Sequence, residues 1–105
     1  MSKILYNVTV KIDKTAHKDW VNWMQKVHIP DVMQTGLFTQ YKMTKILGDD
    51  DEQGFTYAIQ YVAESLEKFN EYQVFHAASL QKAHADRYPN KYVAFRTLME
   101  IVSEG

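Results

Sequence analysis

His28 offers the clearest acid–base chemistry in the chain. An imidazole titrates near neutrality, so it can move a proton or orient a polar ligand. It lies in the segment Trp23-Met-Gln-Lys-Val-His28-Ile-Pro30-Asp31, where Asp31 is near enough in sequence to fix its tautomer. The two make a candidate catalytic pair, His28 as general base and Asp31 as its orienting carboxylate. A structural role competes with this, because His28 can instead cap the carbonyls freed where Pro30 interrupts a helix. His76 shares an apolar helical stripe with Phe69, Tyr72, Leu80 and Ala83, and reads either as a ligand-facing imidazole or as a satisfied core histidine. Arg96 is a lone base in the last strand; it can meet an acidic ligand, or pair with Glu100 or a partner subunit.

Aromatic side chains supply the second signal. Seven Tyr, five Phe and two Trp make 13% of the residues, and several converge on one expected layer between helices and sheet. Buried phenol hydroxyls need partners, so such a layer can line a pocket for a small, partly apolar molecule. Tyr6, Trp23, Tyr57, Tyr61 and His76 are the candidate ligand-binding residues, with Tyr6 or Tyr57 as hydrogen-bond donors. The competing reading is an aromatic core whose hydroxyls reach the rim.

Other chemistries are set aside by what the sequence lacks. Without cysteine there are no disulfides, thiolate metal sites or cysteine nucleophiles. The four histidines, at 17, 28, 76 and 84, show no His-x₃-His spacing, so no metal site is expected. The run Asp49-Asp-Asp-Glu-Gln-Gly54 superficially resembles a calcium loop, but Gln60 stands where a bidentate Glu belongs. A net charge of −1 argues against a nucleic-acid footprint. No apolar run approaches a membrane span and no signal peptide is apparent, so a cytoplasmic protein with no membrane partner is expected.

The elements that must position these residues follow from periodicity. Residues 3–12 alternate as a strand with Ile4, Tyr6, Val8, Val10 and Ile12 on one face. Asp13 or Thr15 is placed to cap a helix carrying Trp20, Trp23, Met24 and Val27, which should kink near His28-Ile29-Pro30 and end at Gly36. Residues 38–47 and 54–62 read as strands joined by the polar turn 48–53, and so as a hairpin. A second helix is expected from about Ser65 to Arg87, and a last strand over 91–102. The whole chain, 1–105, then forms one βαββαβ domain of the α+β class: a ferredoxin-like four-stranded antiparallel sheet with two helices on one face. Alternation places Met43, Leu47, Tyr57, Val93, Phe95 and Met99 under the helices. Asn7, Phe38, Ala94, Arg96 and Leu98 fall on the opposite face. That opposite face is too apolar for water alone, which points to a sheet-to-sheet homodimer.

Such a chain resembles the dimeric α+β barrel superfamily. The runs Ile-Leu-Tyr-Asn-Val-Thr-Val-Lys-Ile (4–12), Trp-Met-Gln-Lys-Val-His-Ile-Pro-Asp-Val (23–32) and Lys-Tyr-Val-Ala-Phe-Arg-Thr-Leu-Met-Glu-Ile (91–101) are similar to an uncharacterised bacterial family, known only as a domain of unknown function. The resemblance implies the fold and the dimer, and no activity. His-x-Pro after an aromatic residue also resembles the ethyl-tert-butyl-ether-degradation type of barrel. The superfamily holds isomerases, cofactor-free monooxygenases, heme-degrading enzymes and ligand sensors. A heme role would fall to Asn7 and His76, but the second helix has no Trp, so no cofactor is expected. The expected function is binding of a small, partly apolar molecule. The alternatives are a sensing or protein-interaction module working through its sheet face, and a cofactor-independent monooxygenase or isomerase.

Overall fold

The computed structural model describes residues 2–105. In chain order it contains β1 (Ile4–Asp13), α1 (His17–Trp23), a π-helical turn (Met24–His28), α2 (Ile29–Met33), β2 (Gln40–Lys45), β3 (Gly54–Ala63), α3 (Leu66–Phe75), α4 (Ala77–Arg87) and β4 (Tyr92–Glu100). The strands pair antiparallel in the order β2-β3-β1-β4. This is the ferredoxin-like α+β fold that the βαββαβ pattern predicts. Between sheet and helices lies a core whose most deeply buried side chains are Ile12, Trp20, Ile29, Val32 and Ile59. Among the described residues no helix is long and apolar enough to cross a membrane.

Pro30 shapes the first helical layer. It has no N–H to donate, so the regular bond to the carbonyl four residues back is missing there. The turn before it widens instead, and the Ile29 N–H reaches the Met24 carbonyl five residues back. The expected kink therefore takes the form of a π turn over Met24–His28, which swings His28 inward. Asp13 does not cap the helix. Its Oδ1 accepts from the Thr15 N–H at 2.8 Å and the Thr15 hydroxyl at 2.6 Å, closing a turn, and α1 begins at His17 without a side-chain cap. Gly36 ends the segment with φ +77°, a left-handed position that suits glycine.

The second helix is not continuous. Ser65 caps it as a short-oxygen residue should, accepting from the Lys68 N–H at 3.2 Å. At His76 the backbone leaves helical geometry (φ −129°, ψ −33°) and restarts as α4. The break rephases everything after it: the buried positions become Ala77, His84 and Tyr88, not the stripe through His76 and Ala83.

β4 also differs from expectation. Cross-strand partners share a face, and β1 pairs Val8 with Arg96, Val10 with Ala94 and Ile12 with Tyr92. Tyr92, Ala94, Arg96 and Leu98 therefore lie on the helix side, and Val93, Phe95 and Met99 on the open face, the reverse of the predicted phase. Phe38 is buried against Tyr6, Tyr61 and Tyr72 rather than standing on the open face. Leu47 lies beyond β2 and is exposed.

Gly54 opens β3 opposite Asp13, and a Cβ there would sit 2.0 Å from the Ile12 carbonyl oxygen. Backbone cannot yield as a side chain end can. Gly54→Ala is expected to lower unfolding stability by about 2 kcal/mol or more, read as a reduced urea midpoint. An unchanged midpoint would mean that the strand end relaxes freely.

Candidate functional site

A cavity of about 40 Å³ lies between the helices and the sheet. Its floor is Tyr6, Val8 and Val10 of β1, Ile59 and Tyr61 of β3, and Tyr92, Ala94 and Arg96 of β4. The roof is Met24 and His28 of the π turn, Val32 of α2, Tyr72 of α3, and Leu80, Gln81 and His84 of α4. The space is enough for a few waters or a molecule of a few heavy atoms.

One end is a packed aromatic cluster. Tyr6 lies 5.0 Å from Phe69 and 6.0 Å from Tyr72 between ring centroids, and Phe38 lies 4.8 Å from Tyr72. Burial pushes the Tyr6, Tyr61 and Tyr72 hydroxyls above the usual phenol range. The charge of Arg96 works against that shift at Tyr6 and Tyr72, and Gln81 also favours the Tyr6 phenolate.

The other end carries two imidazoles. His28 stacks on Trp23 at 4.9 Å with 25° between the rings, and His84 meets His28 edge-on at 5.7 Å. The Trp20 indole N–H donates to His84 Nε2 at 2.9 Å, in a site closed to solvent. A neutral His84 must then carry its proton on Nδ1. His28 Nδ1 is buried with no hydrogen-bond partner. Burial is the main cause holding both imidazoles down to about 4. For His28, Asp31 works the other way and Arg96 adds to the depression; for His84, His28 and Arg96 both add to it. At neutral pH the cavity therefore holds two uncharged imidazoles beside one guanidinium; His84 accepts from Trp20 and keeps only its Nδ1–H to donate, whereas His28 Nδ1 is unpartnered.

The sequence candidates separate into groups. Tyr6, His28 and Tyr61 are on the cavity wall, and Trp23 backs His28 from behind. Asp31 is exposed in the first turn of α2 and gives no hydrogen bond to His28 Nδ1. Tyr57 is outside the cavity, with its hydroxyl 2.7 Å from His17 Nε2. His76 sits at the α3–α4 break, its ring 6.4 Å from that of Tyr72, and does not line the cavity. Arg96, which the sequence offered for an acidic ligand or an ion pair, is on the wall, and so are His84, Tyr72 and Gln81, which sequence reasoning did not offer as ligand contacts. Among the described residues, no group of three His, Cys, Asp or Glu side chains is placed to hold a metal ion.

Residues 3–102 match the model of a family described as a domain of unknown function, DUF4286. The chain belongs to the DUF4286 family. No curated protein sequence matches it. Solved structures similar to this DUF4286 chain include a dimeric ferredoxin-like protein from an uncultured marine organism, with TM-score 0.79, 10% identity and 100% of each chain covered. An EthD-like protein of Ralstonia eutropha JMP134 gives 0.71 and 17%, over 100% of this chain and 96% of that one. SnoaB, a cofactor-independent oxygenase of Streptomyces nogalater, gives 0.69 and 12%, over 99% and 97%. At these identities the likeness is one of fold, and it extends over nearly the whole DUF4286 domain.

Proposed function

We propose that this protein is a homodimeric α+β barrel that binds a small, partly apolar molecule in the cavity between helices and sheet. The observation that carries the reading is the His28 Nδ1 atom, buried and unpartnered in the cavity wall. An unsatisfied buried polar group costs about 1–3 kcal/mol, which a ligand hydrogen bond would recover. Tyr6, Tyr72 and Gln81 face the same space and give the ligand further polar contacts, while Val8, Val10, Ile59 and Leu80 suit an apolar body. The dimer is supported by the open sheet face, where Val93, Phe95 and Met99 stand uncovered. It is also supported by the shared fold with a protein described as dimeric.

Native mass spectrometry of the purified protein tests both halves. The expected spectrum is a dimer carrying a small-molecule mass, and His28→Ala should keep the dimer while weakening retention about tenfold or more. Equal retention by His28→Ala would remove His28 from the site, and a bare monomer would refute the dimer.

A second reading is acid–base catalysis without a cofactor, as an oxygenase or isomerase. The His28 imidazole favours it, being uncharged at neutral pH and unpartnered at Nδ1 on the cavity wall, where it can accept a substrate proton. Turnover of an acidic carbon substrate in air, abolished by His28→Ala, would select this reading over simple binding.

A further inference from the structure

We infer that the cavity takes a small organic anion, a carboxylate or similar acid on a short apolar body, with the Arg96 guanidinium as its counter-charge. The inference rests on the cavity reading above and adds the ligand's charge to it. Acidic side chains outnumber basic ones in this chain, 13 to 12. The cavity wall nevertheless contains Arg96 and no carboxylate. Among the described residues the ion pairs are Lys3–Glu104, Lys11–Asp51, Lys82–Asp86 and Arg87–Asp19, so Arg96 has no paired carboxylate. Glu100, the partner its spacing suggests, does not bond to it.

Placement makes the charge available to a ligand. Arg96 lies opposite Val8 on the helix side of the sheet, at the exposed edge strand where a molecule can enter. Its field reaches both ends of the cavity, because it bears on Tyr6 and Tyr72 at one end and on His28 and His84 at the other. Every other polar group in the wall is uncharged near pH 7. A cationic ligand would meet Arg96 with no carboxylate to offset it, and a neutral ligand would gain nothing from its charge. An anion gains the attraction of Arg96, screened in part by water because that residue is exposed, and the donors of Tyr6, Tyr72 and Gln81. The small cavity volume limits the body to a few heavy atoms unless the wall moves.

The test pairs acids with neutral amides of the same skeleton: acetate with acetamide, butyrate with butyramide, benzoate with benzamide. Each is titrated into wild type, Arg96→Gln and Arg96→Lys, following tryptophan fluorescence and the side-chain nitrogen signals of His28 and His84 by NMR. Circular dichroism checks that the variants, altered at an exposed position, stay folded. In wild type at least one acid should bind about tenfold or more tighter than its amide, the value of one charge-assisted hydrogen bond. Arg96→Gln should erase that preference and Arg96→Lys should keep most of it. Equal binding of acid and amide, or a preference that survives Arg96→Gln, overturns the anion inference and leaves the cavity reading standing. If no probe shifts the two histidines, the cavity reading fails and takes this inference with it.

Discussion

Between pH 7 and pH 4 the folded protein is expected to lose several kcal/mol of stability, most of it through His28 and His84. Both imidazoles are held down to about 4 by burial, against an ordinary value near 6.5 in the unfolded chain. Above pH 6.5 neither state binds a proton at these rings. From 6.5 down to 4 the unfolded chain binds protons that the folded chain refuses, so stability falls as the pH falls. Each ring contributes up to about 3 kcal/mol, at 1.36 kcal/mol per pKa unit. Against the total of about 5–15 kcal/mol for a domain of this size, that loss is a large fraction, and the urea midpoint should drop steeply between pH 6 and pH 4. His17, depressed mainly by its own burial, adds in the same direction. Asp13, Asp19 and Asp51 are exposed carboxylates held below their usual range by hydrogen bonds, and they matter only at still lower pH. Urea midpoints measured at half-unit steps check the slope. His28→Phe keeps a ring to stack on Trp23 and should remove about half of the slope, since His28 gives up no hydrogen bond at Nδ1. A wild-type midpoint that stays flat from pH 7 to 4.5 would mean that water reaches both rings.

The fold was legible because most elements carry one unambiguous phase. In β1 and β3 the alternate residues Tyr6, Val10, Ile12, Ile59 and Tyr61 all go inward, as their spacing requires. β4 has no such phase. Tyr92, Ala94 and Leu98 are apolar on one face and Val93, Phe95 and Met99 on the other, so period two cannot choose between them. The more apolar set was assigned to the core, whereas the pairing register gives it to the open face. That single inversion also separates Arg96, readable as a contact for an acidic ligand, from the cavity whose one charge it is. His84 was obscured differently: with the second helix read as continuous, the stripe runs through His76 and Ala83. The spacing 77, 80, 81, 84, 88 was present in the sequence, but only a break at His76 brings it to the inner face. The Trp20–His84 bond spans 64 residues, and no local pattern announces a contact of that range. His28 was found because Pro30 marks its segment, yet its unpartnered Nδ1 is a property of packing alone.

Phe95→Glu is expected to turn the proposed homodimer into a monomer. Phe95 stands 64% exposed beside Val93 on the open face, lining an apolar trough with Thr9, Ile46 and Thr56. Beneath the same face two buried polar atoms, Asn7 Oδ1 and Thr56 Oγ1, have no partner within the protomer. A second copy would supply apolar cover for the trough. In a two-fold interface each residue acts twice, so the substitution buries two carboxylates. Lys11, the nearest cation on that face, is already engaged by Asp51 at 2.6 Å. Two uncompensated charges at roughly 2 kcal/mol each raise the dimer dissociation constant about a thousandfold, which sedimentation velocity at micromolar concentration resolves. Val74→Glu is the control, since Val74 is even more exposed but lies on α3, away from the sheet; it should leave assembly unchanged. Dimers that survive Phe95→Glu but not Val74→Glu would move the interface to the helices. Phe95 is already in water in the protomer, so the monomer should keep its fold, and with it the cavity on the opposite side of the sheet. Ligand binding by that monomer then separates the two proposals: retained affinity means that one protomer builds the site alone, and lost affinity means that the sheet must be braced by its partner to hold Arg96 and Tyr6 in place.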